Sequence, residues 1–230
     1  MGTALGSVSM LAALCAAQPV VAQGATPRFA VVAFENTGSY GQDKEVFEAL
    51  EIGLAAMLTR SIDRHPGADV VRRAGLLEAM RKLDLGPAQR VDAASAAQLG
   101  KATGARYTVT GSFADFYGKF RINARVVDAR TGEIVKVVSN DDPKLQDRAQ
   151  LAAIVQAVGE KVTAAAGLPP YPAGSAPPPA PTDAITAYSR GLLHESRGDR
   201  ARASAFYESA LTAFPQFEEA REALARVRGS

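Results

Sequence analysis

The side chains best suited to chemistry are few in this chain and lie far apart. Its 230 residues include two histidines, His65 and His194, and one cysteine, Cys15. A Ser/His or Cys/His pair needs a base beside its nucleophile, and a zinc site needs ligands at short regular spacing. Neither histidine has such a companion in the sequence. His65 precedes Pro66 where a helical run ends, a place where a cation complements the helix dipole. His194 lies in a helical run near the C-terminus, where a packing role is the ordinary expectation. The carboxylates are scattered: Asn140-Asp141-Asp142-Pro143 lacks the other ligands and the glycine of a calcium loop and reads as a turn. At Gly100-Lys101 a phosphate loop fails twice, because Ser95 stands where its opening glycine belongs and Ala102 follows the lysine. No catalytic residue, cofactor or metal is therefore expected, and the chain reads as a protein without enzymatic activity. A hydrolase with an unrecognised site is the reading from another class, and the scarcity of histidine argues against it.

Two groups of side chains suggest binding instead. Arg121, Asn123 and Arg125 alternate with Phe120, Ile122, Ala124 and Val126. Alternate residues of a strand share a face, so three polar side chains line one surface, beside Thr108, Thr110 and Lys136 on neighbouring strands. Ordinary solvation accounts for such a face; its sharper reading is a surface for an acidic protein or a glycan. Near the C-terminus, Tyr188, Arg190 and His194 fall on the side of a helix that is expected to stay exposed, as candidates for a peptide groove.

The elements that must carry these residues follow from periodicity and breakers. Arg28–Phe34 is a short apolar run that ends in the turn cluster Glu35-Asn36-Thr37-Gly38, and it predicts a buried strand. Lys44 to Ile62 carries a broad apolar stripe at helical spacing (Val46, Phe47, Leu50, Ile52, Leu54, Met57, Leu58). A second short strand at Ala68–Val71 and a helix at Ala74–Leu83 follow. Asp92 is placed to cap a third helix, with Gly104 at its C-terminal end. Tyr107–Phe116, the alternating run from Phe120, and Ile134–Ser139 form an antiparallel meander with short turns at Gly118 and Gly132. Leu151–Ala165 is a fourth helix. The order β-α-β-α-α-β-β-β-α predicts an α/β layered sheet with flanking helices.

The ends are organised differently. Residues 1–22 carry no charge, and Val8–Ala17 is too short to span a bilayer well. Val20-Val21-Ala22 offers small residues for cleavage before Gln23, which predicts a signal peptide over residues 1–22. Acylation of Cys15 is the weaker alternative, because Leu14 fits poorly before it. Residues 168–182, uncharged and rich in proline, predict an extended semi-rigid spacer. From Ala184 onward, Gly191, Gly198, Ala203, Tyr207, Ala210, Leu211 and Pro215 fall at the spacing of one tetratricopeptide (TPR) unit, which gives a helical module over residues 183–230. A single unit lies below the usual minimum of about three for an independent solenoid. It must dock on the first domain, self-associate or remain marginal. Hydrophobic content of 47%, charged content of 22% and a net charge of +2 fit a packed core and offer no nucleic-acid surface.

Residues 23–167 make one α/β domain, which from about Arg28 to Val162 resembles the family of the curli-secretion protein CsgG and the TolB amino-terminal-like domains. The likeness is carried in order by FAVVAFENTGS, LEIGLAAMLTRSI, ADVVRRAGLLEAMRKL, AAQLGKATGARYTVTGSF and RINARVVDARTGEIV. It implies an envelope role in assembly or secretion through protein–protein binding, with no catalytic residue to transfer. A regulator docking on a peptidoglycan synthase is the alternative it implies. The location implied is the periplasm, with peripheral outer-membrane association, other envelope proteins as partners and self-association as an option. The short turns at Gly118 and Gly132 and the charged Arg121 and Arg125 depart from the long membrane hairpins of a CsgG channel.

Overall fold

The computed structural model describes residues 2, 26–39, 43–86, 90–140 and 147–229. The signal-peptide and Cys15 readings lie outside the described residues, as do Asp141-Asp142-Pro143. A six-stranded mixed sheet is built from β1 (Arg28–Val31), β2 (Glu35–Asn36), β3 (Asp69–Val70), β4 (Tyr107–Phe116), β5 (Lys119–Asp128) and β6 (Ile134–Ser139). The path runs β3-β1-β4-β5-β6, with β2 also paired to β4. β1 lies parallel to both β3 and β4, whereas β4/β5 and β5/β6 are antiparallel.

The parallel centre explains the apolar start of the domain. β1 is covered on both sides, so its run is continuously apolar rather than alternating. Phe29 and Val31 join one buried cluster, and Ala30 and Val32 join the other. Helix α1 (Lys44–Asp63) and helix α4 (Leu151–Ala165) cover the first face. Helices α2 (Arg73–Lys82) and α3 (Ala93–Thr103) cover part of the second. Asp92 caps α3 through the Ser95 N–H, and Gly104 ends it in the left-handed region at φ 69°. Each of these elements lies where the sequence pattern puts it; the added feature is the two-residue β2.

The C-terminal part is helical: α5 (Thr182–Ser196), α6 (Arg200–Ala213) and α7 (Glu218–Gly229). Of the three options open to it, the structure shows docking. Helix α5 lies against α1 so closely that a Cβ on Gly53 would stand 1.9 Å from Ser189 Oγ. The residues of α5–α7 and of the sheet domain share a single apolar cluster, from Phe29 to Val227. Ion pairs rim the contact: Arg190 to Glu45 at 2.9 Å, Arg60 to Glu218 at 3.1 Å, Arg64 to Glu219 at 3.1 Å, and Arg197 to Glu48.

The proline-rich segment forms no helix or strand, but it is tied to the end of α1. Tyr171 donates its hydroxyl to Ser61 O at 2.9 Å and stands edge-on to the His65 ring. His65 is buried. Its Nδ1 accepts the Gly67 N–H at 3.0 Å, and its Nε2 faces Pro169 O at 2.9 Å. At the helix end His65 is thus a packing staple in which both ring nitrogens have partners.

Glu195 joins the three C-terminal helices. From α5 it accepts two hydrogen bonds from Arg226 of α7 at 2.8 Å and one from the Tyr207 hydroxyl of α6 at 2.5 Å. Burial pushes its carboxyl up, but the bonds from Arg226 and Tyr207 outweigh this and hold it below the usual range. A carboxyl lowered by folding stabilises above its unfolded pKa, and that contribution is lost as pH falls through the folded value. The melting temperature should therefore fall more steeply below about pH 5 in the native chain than in Glu195→Gln. A gap between the two melting curves that does not close with acid would refute this. For the α1–α5 contact, Gly53→Ala should cost about 1–3 kcal/mol by overpacking, and adding Ser189→Gly should recover part of it. Chemical denaturation of the two single variants and the double variant measures the coupling.

Candidate functional site

The β4–β5 hairpin presents the polar row. Its turn places Tyr117 at φ 54° and Gly118 at φ 85°, and Asp115 accepts the Gly118 N–H at 2.6 Å. Arg148 pairs with the buried Asp115 carboxylate at 3.0 Å, and its own N–H donates to Gly118 O at 2.8 Å. The register is fixed from this turn upward, with Arg121 opposite Ala114, Asn123 opposite Ser112 and Arg125 opposite Thr110. On the far side of β5, Asn123 faces Ser139 and Arg125 faces Val137 of β6.

Burial follows the strand period. Phe120, Ile122, Ala124 and Val126 are in the core under α1 and α4. The odd-numbered residues point the other way, where α3 packs over the far end of the hairpin and Val127 joins the cluster beneath α2 and α3. Toward the turn, Arg121 is exposed, and Asn123 and Arg125 are half-buried. The patch continues onto β6, where Ile134, Val135 and Val137 are 46%, 44% and 55% exposed. Lys136 is exposed as well, on the opposite face. The resulting surface combines guanidinium groups, amide and hydroxyl hydrogen-bonding groups and an apolar border, a mixture that suits a protein partner more than a small molecule.

The second set of candidates is placed elsewhere. Helix α5 packs on α1, which lies across the sheet from Arg121 and Arg125. Tyr188 is buried against Tyr207 and Phe217, with ring centroids 5.9 and 5.1 Å away, and burial pushes its hydroxyl well above the usual range. His194 is buried, stacked on Phe206 at 5.2 Å, with Nε2 3.4 Å from Glu45. Arg190 lies over the Phe206 ring at 4.1 Å while pairing with Glu45. The exposure expected of Tyr188 and His194 is therefore corrected. A lone helix hairpin must bury its apolar face somewhere, and here that face meets α1.

Two features escaped the sequence reading. Asn140 is buried at the end of β6, accepting the Ile122 N–H at 2.7 Å and donating to Phe120 O at 2.8 Å. It extends the β5 pairing with a side-chain amide, an arrangement no sequence pattern signals. A cleft of about 720 Å³ opens between α1, α4, the proline-rich segment and the α6–α7 junction, with Met57, Val155, Pro178 and Phe217 in its lining. Its arginines Arg60 and Arg64 are already paired with Glu218 and Glu219. Among the described residues, no three His, Cys, Asp or Glu side chains converge as a metal site would require. No helix among them is long and apolar enough to cross a membrane.

Comparison with known proteins follows the same outline. Residues 14–121 match the family model described as the curli production assembly/transport component CsgG. No curated protein matches the chain. Among solved structures, LpoB of E. coli is similar at 15% identity and a TM-score of 0.41, over 60% of this chain and 78% of that one. Lipoprotein GNA1162 from Neisseria meningitidis gives 18% identity and a TM-score of 0.40, over 59% and 96%. TolB from Acinetobacter baumannii gives 16% identity and a TM-score of 0.37, over 62% and 27%. The matched stretch takes in just under half of the chain, from before β1 to the start of β5, and over that part the chain is similar to the CsgG family.

Proposed function

We propose that this chain is a non-enzymatic, exported protein of the cell envelope that acts by binding other envelope proteins during assembly or secretion. The observation that carries the proposal is the uncovered stretch of sheet at Arg121, Asn123 and Arg125, bordered by exposed Val135 and Val137. A sheet face of this kind is solvated on its own, and a partner that pairs its guanidinium groups offsets the cost of desolvating them. Arginine is also among the residues enriched at binding hot spots.

The helices α5–α7 are read as one TPR unit. In support, a Cβ on Gly191 would stand 2.3 Å from the Tyr207 ring, Gly198 takes φ 78° at the turn, and Ala203, Tyr207 and Ala210 are fully buried. Because its apolar face is spent on α1, the unit acts here mainly as a brace. The partner surface is assigned to the sheet instead.

The test is capture from the native envelope after mild cross-linking, with the native chain and with Arg121→Ala/Arg125→Ala. The double variant should lose its partners by about tenfold, in line with one or two lost charge-assisted contacts, while its melting curve stays within about 0.5 kcal/mol of the native one. Undiminished capture would remove the reading. The identity of what is captured then separates secretion components from a peptidoglycan synthase, the alternative partner.

A further inference from the structure

The path of the sheet ends at β6, and among the described residues no strand pairs with its outer edge. Antiparallel pairs alternate in the direction of their main-chain hydrogen bonds. Asn140 N–H goes to Ile122 O, and Val138 and Lys136 face Ala124 and Val126 two and four residues earlier. By this alternation the N–H and C=O groups of Val137 and Ser139 point outward. Lys161 of α4 donates to the Ser139 carbonyl at 2.5 Å. With the Ser139 carbonyl taken by Lys161, the N–H and C=O of Val137 are the outward main-chain groups, beside the exposed Val137 side chain.

The chemistry of an incoming strand is set by charge. Lys136 lies in the middle of β6 on the α4 side of the sheet. Arg125 lies on the other side, opposite Val137. Among the described residues, neither of these two cations has an ion-pair partner. A second copy does not supply one. Two copies of β6 joined antiparallel about a two-fold axis keep their faces, so even-numbered residues meet even-numbered ones. Within Lys136–Ser139, the part of β6 before the register shift at Val126/Val127, Lys136 then meets Val138 or its own copy, and no acid.

We infer that β6 accepts an extended acidic segment of a partner protein as a seventh strand. Acidic side chains of that segment lie beside Lys136, and apolar ones alternate with them beside Val137. Strand addition of this kind takes its affinity from the main chain and its specificity from alternate side chains. The inference rests on the protein-binding reading above and adds the mode of contact and the chemistry of the partner. A lysine within an exposed edge also guards against indiscriminate pairing, which fits an edge that admits an acidic strand and repels others of its own kind.

The probes are an alternating Glu-Val peptide and its Lys-Val counterpart, titrated into the purified protein with fluorescence anisotropy and amide exchange as readouts. The Glu-Val peptide should bind and protect the Val137 amide, and the Lys-Val peptide should not. Val137→Pro removes only an outward N–H, which an edge strand tolerates, and should weaken binding by about tenfold or more. Lys136→Glu, at an exposed position, should reverse the preference between the peptides while its melting curve is unchanged. Equal binding of both peptides, no protection at Val137, or a dimer abolished by Val137→Pro would each overturn the proposal. Envelope capture that is lost in Arg121→Ala/Arg125→Ala but unchanged in Val137→Pro would overturn strand addition and leave the binding reading in place. Capture unchanged in all of these variants would remove both.

Discussion

Helix α1 is buried on two sides, and this double burial organises the molecule. One side carries Phe47, Leu50, Leu54, Leu58 and Ile62 into the core, each contributing about 1.5–3 kcal/mol relative to exposure. The other side meets α5 at Gly53 and Ser189. The two helices come together because glycine and serine leave room at their contact. The sheet, the proline-rich segment and the C-terminal helices all take their positions from this helix. Its end is fixed by His65 and Tyr171, which bring the segment after α4 back across α1 before α5 begins.

Much of this was legible in the sequence because local rules and tertiary packing agree. Asp92 caps α3, Gly104 and Gly118 take the positive φ their turns require, and the alternation in β5 assigns its core and open faces without ambiguity. The docking of α5 was not legible as such, yet α1 carries its trace. Val46, Phe47, Leu50, Ile52, Leu54, Met57 and Leu58 form a stripe too broad for one contact, and a helix apolar on more than one side is covered on more than one side. What sequence alone lacks is the identity of the covering element. The same gap explains Tyr188 and His194, which look available on an isolated hairpin and lose that availability once a neighbour is placed.

The strand at Ile134–Ser139 was legible, but its place at the edge of the sheet was not. Ile134–Ser139 is a short run without clear alternation, a pattern that usually marks a strand covered on both faces. Here the run sits at the end of the sheet path, with three apolar side chains in solvent. Local pattern cannot distinguish a central strand from an edge, because the distinction depends on how many strands follow.

The lone helix hairpin and the open sheet face are connected. A lone helix hairpin relies on neighbours to cover its apolar face, and α1 supplies that cover here. The ion pairs around the contact add little individually, since exposed pairs are worth about 0–1 kcal/mol. The apolar cluster that runs from the sheet through α1 to Val227 supplies the cohesion. With α1, α4 and α5–α7 all stacked on one side, and α2 and α3 reaching only part of the other, the hairpin end of the sheet is left uncovered. The same packing holds the backbone of β5 and β6 from behind, and with it the positions from which Arg121 and Arg125 extend.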